Sequence, residues 1–401
     1  MVNVEKGGDR PLRVLTYTTL YPNDIQTRHG VFVENRLRHA LRTGRVRIQV
    51  VAPVPWFPFR SDWFGSYAEF AGVCHEESRH GIRILHPRYP VIPKVGMSMT
   101  PLLMAMATLG PVRSAIDEMG GVDVLDAHYF YPDGVAAALL SGWLSIPLVI
   151  TARGTDINLI PRYRVPRAWI RWAARRASAM ITVCRALKDE MIGLGIDDEK
   201  IHVLRNGVDL EMFRPVDGRR IRERFGLDGR VLISVGHLIR RKGHDLVIGA
   251  LARLEPDVQL LIVGDGPERR RLEAHAADLQ VADRVVFAGE VPHRELAEYY
   301  SAADVLVLAS DREGWPNVLL ESMACGVPVV ATSIWGVPEV VASPEAGVLV
   351  DDRTPEALAG GIRRLLANMP SSDATRRYAE RFSWDETTSG MLTIFSELAG
   401  R

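Results

Sequence analysis

Short apolar runs, each long enough for one buried strand, recur along this chain and alternate with helical stretches. In the first half the runs are residues 13–17, 48–54, 122–125, 148–151 and 180–183, with helical patterning over 31–43, 135–144, 166–177 and 186–194. In the second half they are 231–235, 259–263, 285–288, 305–309, 329–331 and 348–350, and helices follow most of them. Unbroken apolar strands belong to sheets covered on both faces, and parallel strands need a crossover, which a helix supplies. The alternation predicts an α/β fold of doubly wound parallel sheets. At 401 residues the chain is long for one core, so two Rossmann-like domains are expected. Asn-Gly at 206–207 and Arg-Pro at 214–215 punctuate it, which divides it into 1–208 and 209–382. Ligands of such sheets bind beyond the carboxyl ends of the strands, and a cleft between two domains is the natural place.

The most informative unit spans residues 304–326. An apolar run ends at Ala309, a turn follows, Pro316 takes the first helical position, and Gly326 ends the helix. Proline suits that position because its missing N–H costs nothing there. The N–H groups of Asn317 and Val318 are expected to be free and, with the positive dipole end, to receive an anion. Glu321, one turn into the helix, leans back toward that mouth. Glu313 lies eight positions earlier, on the turn. A carboxylate repels phosphate, so both glutamates read better as acceptors for sugar hydroxyls. The pattern fits a nucleotide-sugar, with diphosphate at the helix mouth, ribose on Glu321 and a hexose near Glu313. A solvated helix with an acidic start has the same pattern, so the other strand-end loops decide.

Residues 235–244 follow the first run of the second half. Gly236 permits close backbone approach, and Lys242 supplies a point charge for a diphosphate. Gly264, in Val263-Gly264-Asp265-Gly266-Pro267, lets a ligand lie against backbone, although its spacing matches neither a dinucleotide fingerprint nor a P-loop. Val291 sits in the next loop, where backbone groups can read a base edge. In the first half, His128 lies in Asp126-Ala127-His128 at a run's end, and Thr151-Ala152-Arg153-Gly154-Thr155-Asp156 stands one strand later. A lone histidine is more often structural; the strand-end position favours function here.

Composition narrows the class. The three cysteines, Cys74, Cys184 and Cys325, lie far apart without ligand spacing. That argues against a disulfide framework and a zinc site, and fits a reducing cytosol. Residues 1–10 are polar, so no signal peptide is expected. Residues 95–112 are the longest apolar stretch, but Ser98, Thr100, Pro101, Thr108 and Pro111 interrupt it. A span needs about 20 largely apolar residues, so a buried helix is expected. Residues 1–208 hold 26 basic against 19 acidic residues, and the remainder 23 against 30. A basic first half favours an anionic partner or membrane surface, although nearly all the basic residues are arginine, a bias that carries no function by itself. Residues 53–70, rich in Pro, Trp and Phe, read as an insertion, either an acceptor-side or membrane-facing loop or one packed on its own aromatics.

Together these segments resemble the retaining glycosyltransferases of family 4, which have the GT-B fold of two doubly wound domains facing across a cleft. The likeness covers almost the whole chain. Its most specific element is Glu-x7-Glu, Glu313 to Glu321, supported by loop 236–242, residues 206–215 and the Gly264 turn. Residues 383–401 resemble the family's final helix, which crosses back to the first domain. Arg28-His29-Gly30-Val31-Phe32-Val33-Glu34 and Arg153-Gly154-Thr155-Asp156 resemble bacterial enzymes of teichuronic-acid and exopolysaccharide assembly.

The resemblance implies roles. Glu313 would contact the transferred sugar, Glu321 hold the ribose and Lys242 neutralise the leaving diphosphate. His128 would lie beside the donor sugar near the reacting carbon, and Gly30 would allow close approach of donor or acceptor. Gly236, Gly264, Val291, Asn317 and Val318 would line the nucleotide. Many members have arginine where this chain has His237, so Arg240 or Arg241 would supply that charge. Many have histidine where it has Arg153, whose role stays open. No Asp-x-Asp pattern lies near the donor loops, so neither metal nor other cofactor is expected, and Lys242 with the helix mouth must stabilise the leaving group. The implied reaction is a front-face displacement with retention, the leaving phosphate helping to deprotonate the acceptor. UDP is the implied carrier, with guanosine open.

The expected acceptor is lipid-linked or an oligosaccharide. Arg164, Arg167, Arg171 and Arg175 recur at helical spacing opposite Val165, Ala168, Trp169, Trp172 and Ala173. That pattern suits either a helix at an anionic membrane surface or a surface helix packing its tryptophans inward. The expected location is cytoplasmic, at the inner face of the plasma membrane where the acceptor is lipid-linked, and no nucleic-acid partner is expected. Two other readings keep the fold: a sugar-nucleotide epimerase or small-acceptor synthase, and a non-catalytic scaffold that binds the nucleotide-sugar.

Overall fold

The computed structural model describes residues 10–27, 29–56, 66–91 and 96–400. Arg28, residues 57–65 of the aromatic insertion, Val95 and the residues before Arg10 lie outside them. The chain divides into two compact units, Met1–Leu204 with Asp385–Arg401, and Arg205–Trp384.

The first unit contains β1 (Leu12–Tyr17), β2 (Val46–Val51), β3 (Val54–Trp56), β4 (Glu76–Arg79), β5 (Ile82–Leu85), β6 (Arg88–Pro90), β7 (Val124–His128), β8 (Leu148–Ala152), β9 (Ala179–Thr182) and β10 (Ile201–Val203). Eight of them form one sheet in the order β10-β9-β8-β7-β1-β2-β5-β4, and β3 pairs with β6. All neighbours in the large sheet are parallel except β4 and β5, an antiparallel hairpin at its edge. The second unit contains β11 (Arg230–Val235), β12 (Val258–Val263), β13 (Val285–Gly289), β14 (Val305–Leu308), β15 (Val329–Thr332) and β16 (Gly347–Val350). They form a six-stranded parallel sheet in the order β13-β12-β11-β14-β15-β16. The doubly wound α/β expectation holds in both units.

Each sheet reverses its winding beside its first strand. β1 lies between β2 and β7, and β11 lies between β12 and β14. At such a switch point the loops leaving adjacent strands run to opposite faces and open a crevice at the strand ends. The chain places Gly30 after β1 and His128 at the end of β7. It places Lys242 after β11 and Glu313 after β14.

The strands at these switch points are apolar because both faces are covered. β7 and β14 are buried throughout, and β11 is buried from its second residue. In the first unit, Val33, Leu37 and Ala40 of helix Val31–Arg42 pack with β1, β2 and β5. The C-terminal helix Trp384–Leu398 adds Met391, Leu392, Ile394 and Phe395 to that core. Burying each such side chain contributes roughly 1.5–3 kcal/mol, so the tail is part of the first unit's stability.

Several elements differ from their sequence reading. The 48–54 run splits into β2 and β3 at Ala52 and Pro53, because proline has no N–H for a ladder. β4, β5, β6 and β10 carry no apolar run that marks them. Where a buried helix is expected, Thr100–Glu118 forms a helix with Pro101 in its first turn that buries a single face, Met104, Ala105, Thr108, Val112 and Ala115, and leaves Met106 exposed. Among the described residues no helix is long and apolar enough to cross a membrane.

Candidate active site

In the second unit, neighbouring strand ends bring two distant charges together. β11 and β14 pair at Leu232↔Val305 and Ile233↔Leu306. Lys242 lies in a short helical turn, Arg240–Lys242, beyond β11. Its Nζ is 2.5 Å from Oε1 of Glu313, and Ser310 Oγ donates to the same oxygen at 2.7 Å. Burial raises the Glu313 carboxyl, but Lys242, Ser310 and Arg241 outweigh it and hold the group below the ordinary glutamate value. Glu313 is therefore an anion whose nearest cation is the residue expected to meet a diphosphate.

The surrounding loops stack backbone on backbone. Gly236 N–H donates to Val263 O at 3.0 Å, and Gly264 N–H donates to Gly289 O at 2.8 Å. Gly264 has φ +139, and a Cβ there would lie 2.0 Å from Gly236 O. A side chain at 264 would push the β11 and β12 loops apart. Lys242 carbons pass 3.7 Å from the position a Gly236 Cβ would take. Arg241 Nη1 donates to Arg312 O at 3.2 Å, and Asp311 N–H donates to Arg241 O at 2.9 Å, so Arg241 tethers the Glu313 turn. His237 and Arg240 are exposed, and Val291 is buried.

The helix carrying Glu321 begins at Asn317, one residue later than expected, with Pro316 before it. Asn317 N–H is not free: it donates to Trp315 O at 3.1 Å. The tight turn through Pro316 folds that donor back, so the mouth offers Val318 N–H rather than a pair. Asn317 Oδ1 accepts from Asn206 Nδ2 at 3.4 Å.

Glu321 is 8 % exposed and has a partner on each oxygen. His293 Nε2 lies 3.0 Å from Oε1, and Tyr300 OH donates to Oε2 at 2.9 Å. Burial first, then the Glu321 charge, raises the Tyr300 phenol well above its ordinary value, so it stays a donor. Phe213 packs edge-on against His293 at 5.1 Å. Sequence reading missed His293 and Tyr300. His293 follows the very loop that contains Val291, and that adjacency was the available signal. His244 was also missed: it is buried, its Nδ1 is 2.9 Å from Ser234 Oγ, and burial with Lys242 lowers it to about 4.

In the first unit, His128 is fully buried. Arg153 Nη2 lies 2.6 Å from its Nδ1. A guanidinium only donates, so Nδ1 accepts and the ring proton sits on Nε2. Nε2 in turn lies 2.9 Å from Asp126 Oδ2. Burial, assisted by Arg153 and Arg36 and opposed by Asp126, lowers His128 to about 4, so the ring is neutral at pH 7. Arg36 is also fully buried, with no hydrogen-bond partner for its guanidinium among the described residues and the Asp126 charge facing it. Asp156 fixes the loop by accepting from Phe130, Arg153 and Gly154 N–H groups at 2.7–3.2 Å. Gly30 starts helix Val31–Arg42 at φ +74, where a Cβ would lie 2.2 Å from Leu20 O. The structure thus joins Lys242 to Glu313, and within the other unit joins His128 to Arg153 and Asp126.

The exposed arginines of helix Arg164–Arg176 include Arg164, Arg167, Arg171 and Arg175. Its buried face is Pro166, Ile170, Ala173 and Ala174, while Val165 and Ala168 are exposed. Trp169 Nε1 donates to Ser98 O at 3.1 Å and meets Trp172 edge-on at 5.3 Å.

Comparison with known proteins agrees with this architecture. Residues 35–212 match the model described as Glycosyltransferase Family 4, and residues 218–382 match Glycosyl transferases group 1. A D-inositol 3-phosphate glycosyltransferase of Acidothermus cellulolyticus is 35% identical over 329 residues, 74% of this chain and 72% of that protein. TuaC of Bacillus subtilis, named for teichuronic acid biosynthesis, is 30% identical over 361 residues, 88% of this chain and 89% of its own. Among solved structures, sucrose-phosphate synthase from Thermosynechococcus elongatus superposes with TM-score 0.79 at 21% identity, covering 98% of this chain and all of that one. HepE of Anabaena in complex with UDP gives 0.74 at 21% identity, covering 97% and 100%. The chain belongs to the family 4 glycosyltransferases and has their GT-B fold.

Proposed function

We propose that the chain transfers a sugar from a nucleoside diphosphate carrier, UDP, to a lipid-linked or oligosaccharide acceptor of the cell envelope, with retention and without a metal at the donor. The observation that carries this reading is the Lys242–Glu313 pair at the β11/β14 switch point, with Glu313 on the same strand–turn–helix as Glu321. Lys242 meets the leaving diphosphate, Glu313 takes a hydroxyl of the transferred sugar, and Glu321 takes the ribose. The anomeric carbon–oxygen bond to the diphosphate breaks as a bond to the acceptor oxygen forms. The acceptor proton passes to a phosphate oxygen of the leaving group. His128, buried and neutral, holds Arg153 in place near the other switch point. Support for UDP comes from HepE, solved with UDP and with UDP-glucose. Support for an envelope acceptor comes from the name of TuaC.

A small sugar-phosphate acceptor is the second reading, favoured by the D-inositol 3-phosphate named for several relatives and by the Arg153 guanidinium at the end of β8. The test is nucleoside diphosphate release from a panel of nucleotide-sugars, alone, with bacterial lipid extract and with inositol phosphate, beside Glu321→Ala. Release from one donor that rises with lipid and falls in the variant supports the first reading. A rise with inositol phosphate alone selects the second. No release from any donor, despite nucleotide binding, rejects both. Product anomeric configuration, read by NMR, tests retention.

A further inference from the structure

A second constellation lies at the edge of the first unit's sheet, among residues to which the transfer reaction gives no role. Cys74 precedes β4, Glu77 lies within it, and His86 follows β5. One ligand atom from each, the Cys74 sulfur, a Glu77 carboxylate oxygen and a His86 ring nitrogen, lie within 4.8 Å of one another. The hairpin brings them together: Glu77 pairs with Ile84, and His86 N–H donates to His75 O at 2.8 Å.

The His86 ring is the informative group. Its Nδ1 is 3.1 Å from Ala52 O, and its Nε2 is 2.9 Å from Glu77 Oε1. A carbonyl oxygen and a carboxylate oxygen both only accept, whereas a neutral imidazole has one proton to donate. With Nδ1–H on the carbonyl, the Nε2 lone pair faces the carboxylate. A positive species between Nε2 and Oε1 resolves the conflict, either a second ring proton or a metal ion. An Nδ1–H donated to a backbone carbonyl is the arrangement that fixes a metal-bound histidine. A proton needs no third ligand, yet a cysteine sulfur stands within reach.

We propose that Cys74, Glu77 and His86 bind a divalent ion of the zinc class through Sγ, one carboxylate oxygen and Nε2. Sulfur, imidazole and carboxylate together match zinc better than the all-oxygen sets of magnesium or calcium. Zinc bonds of about 2.0–2.3 Å put tetrahedral ligand atoms about 3.3–3.6 Å apart, so a sulfur within 4.8 Å closes by only about 1 Å while Nε2 and Oε1, 2.9 Å apart, open slightly. Charge favours the ion. Burial and the Asp24 and Glu77 charges hold the Cys74 thiol above its ordinary value, so it binds by releasing its proton to solvent as the Sγ–metal bond forms. Thiolate and Glu77 then supply two negative charges, and Asp24 Oδ1, which accepts Cys74 N–H at 3.2 Å, adds a third nearby. Arg79 Nη1 is 3.9 Å from the other Glu77 oxygen, but its closer partner is Glu34 at 2.8 Å, so Oε1 stays available. His86 is 1 % exposed while Cys74 and Glu77 are half-buried, which gives the ion a way in. Bound there, it ties the β4–β5 hairpin to the segment before it. These ligands join only in the folded hairpin, because Cys-x2-Glu-x8-His resembles no compact ligand spacing.

The test is titration of the full chain, stripped with chelator, with Co²⁺ and Zn²⁺. Cobalt binding through Cys74 gives a thiolate charge-transfer band, and competition with a chromophoric chelator gives the zinc affinity. The expected result is about one ion per chain, with the band lost and zinc affinity down at least ~10-fold in Cys74→Ser and Glu77→Gln. Glu77→Gln keeps the side-chain shape, so a folding failure of the cysteine variant leaves the test intact. Absence of a cobalt band in the unaltered protein, or zinc affinity unchanged in both variants, overturns the site.

Discussion

Lys242 and Glu313, 71 residues apart in the chain, form a 2.5 Å ion pair because β11 and β14 are neighbours at the sheet's switch point. The pair is mostly enclosed, with side-chain exposures of 15 % and 11 %. Either partner alone would be a poorly solvated charge, so a ligand that takes over one must compensate the other. In the proposed reaction, a diphosphate on Lys242 and a sugar hydroxyl on Glu313 would do so together.

This coupling predicts different outcomes for the two partners. Lys242→Met should weaken UDP binding, measured by calorimetry, and lower turnover by about 10²-fold or more, the usual cost of losing one preorganised charge at a leaving group. Glu313→Gln should lower turnover similarly while UDP affinity stays within a few-fold, since UDP carries no hexose. Equal loss of UDP affinity in both would refute separate phosphate and sugar roles.

His128 and His244 predict acid sensitivity well above the carboxylate range. Both are lowered from an ordinary value near 6.5 to about 4 by burial. Below pH 6.5 the unfolded chain takes up protons that the folded chain refuses. Stability is therefore full above pH 6.5, falls as pH drops, and levels off near pH 4. At pH 5 each histidine should cost roughly 2 kcal/mol relative to pH 7. Urea unfolding at the two pH values measures this, and His244→Asn should remove one share. A flat profile would show that water reaches both rings.

Glu321 predicts a role for residues that touch only its carboxylate. Tyr300→Phe removes the OH on Oε2 and should cost about 1 kcal/mol of stability. If Glu321 holds the ribose, the same change should raise KM for the nucleotide-sugar by several-fold and leave kcat nearly intact. The unaltered enzyme should also prefer UDP over its 2′,3′-dideoxy analogue, and Glu321→Gln should shrink that preference. An undiminished preference would place the ribose elsewhere.

What was legible in the sequence follows from physics. Strands buried on both faces announce themselves as apolar runs, so β1, β8, β11, β12 and β14 were readable. β4 was not, because Glu76-Glu77-Ser78-Arg79 is an edge strand with no apolar residue, Glu76 and Ser78 exposed and Glu77 turned onto His86. The Glu313–Glu321 spacing was visible because one turn and one helix contain it. His293 and Tyr300 were not tied to Glu321, since that contact depends on how helix Leu296–Ser301 packs. The burial of His128 was equally hidden, because Arg153 and Asp126 close over it only once β7 and β8 are side by side. The Cys74–Glu77–His86 grouping was not readable from spacing, because its members meet only across the β4–β5 hairpin.

Helix Arg164–Arg176 offers a test of the proposal that the acceptor is lipid-linked. Its arginines are exposed, and so are Tyr163 at 55 % and Val165 at 47 %. Its buried side is held by Ile170 and by the Trp169–Ser98 bond, so the arginine face can change without unfolding the helix. Each arginine near an anionic surface contributes about 1 kcal/mol. Arg167→Glu with Arg171→Glu reverses two charges, so binding to phosphatidylglycerol vesicles should fall by about 10²-fold or more in sedimentation. The thermal midpoint should move little, because exposed substitutions change stability by about 0.5 kcal/mol or less. The decisive comparison is with a soluble acceptor. If the helix serves only to reach the membrane, activity on lipid extract falls while turnover on the soluble acceptor stays. If vesicle binding is unchanged, the tryptophans are simply packing residues and the acceptor arrives by another route.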